Sequence, residues 1–206
     1  MSLHELLQGK RLVLASKSPR RRELLKGLDV EFEIWDTNHD DEEPFPANLP
    51  LADVPVYLAK QKAAHLADRL DDSTILITCD TIVICCNQIL GKPKDESDAR
   101  RILSALSNKS HTVITGVCLK SKNSERVFDV ATEVHFKRLS MEEIDYYISK
   151  YKPYDKAGAY GVQEWIGYVG VERIDGSYFN VMGLPIHTLH SQLISFINTV
   201  KVEKSE

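Results

Sequence analysis

Basic excess is missing from this chain, and that absence narrows its partners at once. Its 26 Lys and Arg are outnumbered by 30 Asp and Glu, for a formal net charge of −4. It therefore lacks the extended basic face that a dedicated nucleic-acid binder needs to displace counterions. Long hydrophobic runs are missing too. No stretch approaches the ~18 apolar residues of a membrane span, and residues 1–9 hold nothing like the apolar centre of a signal peptide. The expectation is a cytoplasmic protein with neither nucleic-acid nor membrane partners. Cysteine is scarce: Cys79, Cys85, Cys86 and Cys118 contain no C-x-x-C pair, and three of them sit in one apolar run. That pattern reads as buried free thiols rather than zinc ligands or disulfides. Repeats, low-complexity tracts and Pro/Gly-rich linkers are absent, so the chain reads as one domain over residues 1–200. A polar tail, 201–206, is expected to fray. With 206 residues, 43% of them hydrophobic, there is material for one substantial core or two closely joined lobes.

What is present in concentrated form is LVLASKSPRRRELL, residues 12–25. An apolar strand runs into a Ser-rich elbow, and the elbow opens into a helix bearing Arg20, Arg21 and Arg22. Pro19 suits the first helical turn with Ser18 as N-cap, so unpaired N–H groups and the positive end of the helix dipole point toward the hydroxyls of Ser16 and Ser18. Guanidiniums add charge-assisted donors for an anion. Residues 20, 21 and 22 are about 100° apart around the helix, so at most two serve one ligand, and Arg22 is assigned to solvent. A local Arg cluster on an acidic protein suits a small anionic ligand.

The order of elements decides the fold class. Strand 11–15 leads to helix 19–26, closed by Gly27, and then to a strand with Phe32 and Ile34 alternating. An acidic, Pro-containing loop spans residues 36–50. A helix over 54–70, opened by Asp53, packs Leu58, Leu66 and Leu70. Residues 74–86, TILITCDTIVICC, are almost continuously apolar and β-branched, as in a strand covered on both faces. Asp80 interrupts that run, and a carboxylate there is costly without a partner, so it lies in a cleft or binds a cation. A helix over 95–107 stops at Asn108, strands 111–120 and 126–137 pair antiparallel, and Ser140 with Glu143 forms a capping box for a helix ending near Lys150. DKAGAYGVQ, residues 155–163, is a loop, and 166–174 reads as a strand. A C-terminal helix carries Ile186, Leu189, Leu193 and Phe196 as one stripe. The class is α/β, a mixed sheet flanked by helices, with two lobes around a cleft.

Seven segments, in order and at the family's approximate spacing, make the chain resemble the Maf family of nucleotide pyrophosphatases over nearly its whole length. They are ASKSPRRRELL (15–25), KQKA (60–63), CDTIV (79–83), GKP (91–93), TGV (115–117), DKAGAYGVQ (155–163) and FNVMGLP (179–185). The resemblance implies an ITPase-like fold and hydrolysis of a nucleoside triphosphate between its α and β phosphates, with a divalent cation, Mg²⁺ or Mn²⁺. It implies a phosphate cradle of Ser16, Ser18, Arg20 and Arg21, with Lys62 and Lys92 holding the rest of the triphosphate. Asp80 matches the residue proposed as general base, and is also suited to hold the cation and orient its water. Asp41 aligns best as a second acidic ligand, with Asp40 or Glu42 as alternatives in an irregular loop. Arg20, Thr81 and Gln163 match the choices of the dTTP/UTP branch rather than the branch preferring 7-methyl-GTP. A homodimer is suggested by family likeness alone. The alternatives carried forward are a pyrophosphatase for other modified nucleotides and a nucleotide-sensing, division-related binding protein. Departures from the family pattern are Lys17 between the two serines, Cys79 before the aspartate, and the irregular loop.

Overall fold

The protein is described from a computed structural model covering residues 2–36 and 44–202. The elements are α1 (Leu3–Leu6), β1 (Arg11–Ala15), α2 (Pro19–Lys26), β2 (Glu33–Trp35), α3 (Val54–Ala64), β3 (Thr74–Cys85), β4 (Gln88–Leu90), α4 (Glu96–Leu106), β5 (Ser110–Lys120), β6 (Glu125–Phe136), α5 (Met141–Tyr151), α6 (Trp165–Gly170), β7 (Val171–Asp175), α7 (Tyr178–Val181) and α8 (Ile186–Val202). The strands form one seven-stranded sheet in the order β2-β1-β3-β5-β6-β7, with β4 on β3. β1 lies parallel to β2 and β3, whereas β4 runs antiparallel to β3 and β7 to β6, which makes the sheet mixed. Among the described residues, no helix is long and apolar enough to cross a membrane.

The chain divides into two compact units. The first comprises residues 1–80, 115–130 and 183–206, and the second residues 81–114 and 131–182. In the first, Val13, Ala15 and Leu76 of the parallel strands pack with Ala59, Ala63, Leu66, Trp35 and Cys118. Small residues on α3 let it lie close to the sheet. The closest approach is at Gly116, where a Cβ would stand 2.3 Å from the Pro55 carbonyl carbon; any side chain there would push α3 off β5, which explains the glycine of TGV. In the second unit, α4 buries Ala99, Ile102, Leu103 and Leu106, one face of a 3.6-residue repeat. α5 adds Ile144, Tyr147 and Ile148. Asp95 caps α4 by accepting from the Asp98 N–H, and the Ser140–Glu143 capping box forms on α5 in both directions.

Several local expectations change. Residues 166–174, rich in β-branched and aromatic side chains, are not one strand: α6 occupies their first half and β7 the second. Helical spacing explains the burial, since Ile166 and Gly170 face inward while Tyr168 is 83% exposed. At Gly167 a Cβ would fall 1.8 Å from the Val162 carbonyl oxygen, so that helix rests directly on the preceding loop. The helix expected over 54–70 ends at Ala64 and gives way to a 3₁₀ turn, Ala67–Arg69, and Asp53 makes no side-chain cap. In β2 it is Trp35 that points inward, with Ile34 39% exposed. A short helix, α1, begins the chain with a Ser2–Glu5 capping box. The cysteines are free, but Cys86 is exposed rather than buried. Residues 203–206 of the polar tail lie outside the described residues, while Lys201 and Val202 still belong to α8.

Candidate functional site

In the first unit, the strand-to-helix elbow forms as its sequence requires. Ser16, 5% exposed, directly follows β1, and its Oγ accepts the Ser18 N–H at 3.2 Å. Ser18 occupies the N-cap position with extended backbone, yet its hydroxyl makes no capping bond. Pro19 stands at the start of α2, where a missing N–H costs the helix nothing.

The three arginines diverge in role. Arg21 donates from Nε to the Gly183 carbonyl (2.8 Å) and from Nη1 to the Cys79 carbonyl (3.0 Å). It thereby ties the start of α2 to the strand position beside Asp80. Arg22 is not the solvent-facing charge that helix geometry suggested: Nη2 donates to the Ser16 carbonyl at 3.3 Å, and its Nε is buried without a hydrogen-bond partner among the described residues. Arg20 is half-buried at the same helix start. Lys62 and Asp80 meet as an ion pair through Nζ and Oδ1, with side chains 22% and 11% exposed. The carboxylate in the apolar strand thus has the partner its burial demands. The neighbouring Lys60 instead reaches Glu125 at 3.2 Å. Burial raises the pKa of the Cys79 thiol, which leaves it a poor nucleophile. Asp41, with Asp40 and Glu42, lies outside the described residues. Among the described residues no group of three or more His, Cys, Asp or Glu is placed to hold a metal ion.

The second unit contains Thr81, Lys92 and Gln163. Thr81 follows Asp80 on β3, Lys92 is exposed just beyond β4, and Gln163 closes the glycine-containing loop. That loop is braced at four points. The Tyr147 hydroxyl donates to a Glu164 carboxylate oxygen and accepts the Gly161 N–H at 3.0 Å. Lys156, only 8% exposed, holds Glu164 at 3.1 Å and Asp155 at 2.8 Å. Tyr160 shares a 2.8 Å hydrogen bond with His111 Nε2. Gly158 donates its N–H to the Gly91 carbonyl at 3.1 Å, joining the loop to the residue before Lys92. Gly158 has φ +72°, a left-handed conformation that favours glycine, and a Cβ there would fall 2.9 Å from Val83. Burial pulls the His111 pKa down to about 4. It also raises the Tyr147 phenol, with the Glu164 carboxylate adding to the shift. Within this braced loop the Gln163 Oε1 is buried and has no hydrogen-bond partner among the described residues, an acceptor left over for something else.

Sequence reasoning identified Gln163 but not the groups that fix it. The burial of Tyr147 follows from the 144, 147, 148 spacing on α5. Its link to Gly161 and Glu164 has no local signature.

An α/β protein with an arginine-rich helix start, a lysine-paired carboxylate in a covered strand and a braced polar loop has the parts for handling a small anionic ligand. The chain belongs to the Maf family: the family's sequence profile, described as Maf-like protein, matches residues 11–196. It is similar to a Porphyromonas gingivalis (strain W83) protein named dTTP/UTP pyrophosphatase, 50% identical over 188 residues, which covers 90% of this chain and 94% of that one. A Phocaeicola vulgatus protein of the same name is 50% identical over 189 residues, 92% of this chain and 97% of its own. The corresponding Parabacteroides distasonis protein is 48% identical over 192 residues, 93% and 99% of the two chains.

Proposed function

We propose that this protein is a nucleoside triphosphate pyrophosphatase that converts dTTP and UTP, or closely related modified pyrimidine nucleotides, to the monophosphate and pyrophosphate. The observation that carries the reading is half-identity, across at least nine-tenths of both chains, with relatives bearing that name. The site chemistry is consistent with it. Breaking a phosphoanhydride needs charge neutralisation, an aligned water and a proton acceptor, with little covalent help from protein.

In this reading residues 1–200 act as one catalytic domain. Arg20, the N-terminus of α2 and the Ser16–Ser18 elbow receive phosphate oxygens, and Arg21 holds that elbow against β3. Lys62 orients Asp80 and contributes positive charge, and Lys92 adds a second cation. Asp80 takes up the proton of the attacking water or positions that water. A bound Mg²⁺ or Mn²⁺ supplies charge neutralisation and a more acidic water. Asp80 fits as one oxygen ligand for it, and Asp41 is the second acidic position. Thr81 and Gln163 select the base: an amide presents both donor and acceptor to the N3–H and carbonyl edge of uracil or thymine. A cytoplasmic homodimer is part of the same proposal.

The test is pyrophosphate release, with Mg²⁺, from UTP, dTTP, CTP, ATP, GTP and 7-methyl-GTP. The expected outcome is a kcat/KM for UTP and dTTP at least about 10-fold above the purine nucleotides, the scale of a buried hydrogen-bond mismatch. Purine preference, or orthophosphate in place of pyrophosphate, overturns the proposal.

A further inference from the structure

Adjacent residues of a strand point to opposite faces, so two consecutive cysteines in a continuing strand hold their thiols far apart. At the end of β3 that alternation is broken. Cys85 is the last strand residue and pairs with Gln88 of β4, leaving Cys86 and Asn87 as a two-residue hairpin turn. Both have positive φ, +51° and +59°, the pattern of a type I′ turn, where Asn and Gly are the favoured residues. A cysteine in the left-handed region is uncommon. Its consequence is that the Cys86 thiol turns back toward its neighbour: the two Sγ atoms lie 3.7 Å apart.

We propose that Cys85 and Cys86 form a vicinal dithiol site that chelates a thiophilic centre with two exchangeable positions, of which a trivalent organoarsenical is the fitting class. Four observations support this. The separation of 3.7 Å is well beyond the ~2.0 Å of a disulfide. A trivalent arsenic is pyramidal and draws its two sulfurs somewhat closer than this contact, a closure that rotation of the exposed Cys86 side chain can supply. Exposure is divided, since Cys86 is open to solvent and Cys85 is buried, so one thiol captures the electrophile and the second closes the ring intramolecularly. The Cys85 sulfur is set against the carbonyls of Ala105 (3.8 Å) and Ser110 (3.9 Å), which fixes the anchoring side of the ring. Finally, ions that need three or four protein ligands are a poor match, because no larger group of metal-binding side chains exists among the described residues.

The step balances without redox chemistry. The arsenoxide R–As=O and two thiols give a cyclic R–As(S)₂ and one water. Two As–S bonds form, the As=O bond is lost, both thiol protons leave in the water, and arsenic stays trivalent. Cys79 and Cys118 are also buried, and neither adjoins a second cysteine in the chain, so one chelate per chain is expected.

The experiment is intact-mass measurement of the reduced, folded protein treated with phenylarsine oxide. The expected product is one phenylarsenic group per chain, formed with loss of one water. It should survive about a 10²-fold excess of a monothiol, as an effective-concentration advantage requires, and be released by 2,3-dimercaptopropanol. Cys86→Ser, a change at an exposed turn, and Cys85→Ser should each abolish the resistant adduct, and Cys79→Ser should retain it. The proposal fails if native protein gains no adduct, or if the adduct survives in Cys86→Ser. It also fails if a monothiol removes the adduct, or if the pair closes to a disulfide in place of binding arsenic.

Discussion

Around Asp80 the first unit is built from full charges that are already engaged, Lys62 with Asp80 and Arg21 and Arg22 with backbone carbonyls. Around Gln163 the second unit is built from a framework of hydroxyls, glycines and one buried ion pair that leaves a neutral amide oxygen over. The difference teaches how the work divides. Under the proposed function, charges that meet a triphosphate are held ready by ordinary protein partners, whereas the group that discriminates between bases is positioned by its surroundings and left unpaired. Discrimination by hydrogen bonding is large only when the wrong ligand leaves such a group unsatisfied.

The strongest way to break this comparison is Asp80→Asn. It preserves shape and removes the charge, and turnover on UTP should fall about 10²-fold or more, the scale for loss of a general base or a central electrostatic group. Near-normal kcat in a folded variant would remove Asp80 from the chemistry. Arg20→Ala follows, with an expected cost of about 2–3 kcal/mol in kcat/KM if its guanidinium meets phosphate. Arg21→Ala and Arg22→Ala bear on backbone ties instead, so they should lower the thermal midpoint as well as activity, a separation that paired melting and kinetic measurements resolve.

The second unit is sharpened by acid. His111 is held to about 4 against an ordinary 6.5. Between those values the unfolded chain binds a proton that the folded chain refuses, so stability is full above about pH 6.5 and falls as pH drops toward 4. The total is about 3 kcal/mol. Denaturant titrations at pH 6.5 and 5 should show about 2 kcal/mol more loss in the wild type than in His111→Gln; equal slopes would reject the assignment. The smallest expected effect is that of Tyr147→Phe, which strands the Gly161 N–H and loosens Glu164. Stability should fall by about 1–2 kcal/mol, and the UTP-to-GTP preference should shrink several-fold with kcat for UTP nearly kept. A stability loss with unchanged base preference would make the brace purely structural.

Much of the site's frame was legible along the chain. β1, α2 and β3 fall where apolar runs, Pro19 and Gly27 put them, and the capping box on α5 forms as written, because each depends on contacts within a few residues. Asp80 stood out because a carboxylate inside a β-branched run has few inexpensive explanations. The misreadings share a cause. Residues 166–170 look like strand by composition, yet form a helix because Gly167 packs onto Val162, a contact that propensity cannot register. Arg22 was assigned to solvent by helix geometry, which is blind to the Ser16 carbonyl curling back from the preceding strand. Cys86 was assigned to a buried run because alternation gives no sign of where a strand turns over.

By itself, then, the sequence determined the class and the family and nominated the candidate site residues, since patterning, turn residues and motif order are local properties. Only the tertiary structure decided which arginine is a brace, which lysine faces Asp80, and which hydroxyl and carboxylate fix the Gln163 loop. Those choices are made by groups far apart in the chain, whose pairing is set by burial: a buried polar group must find a partner wherever the packing happens to place one.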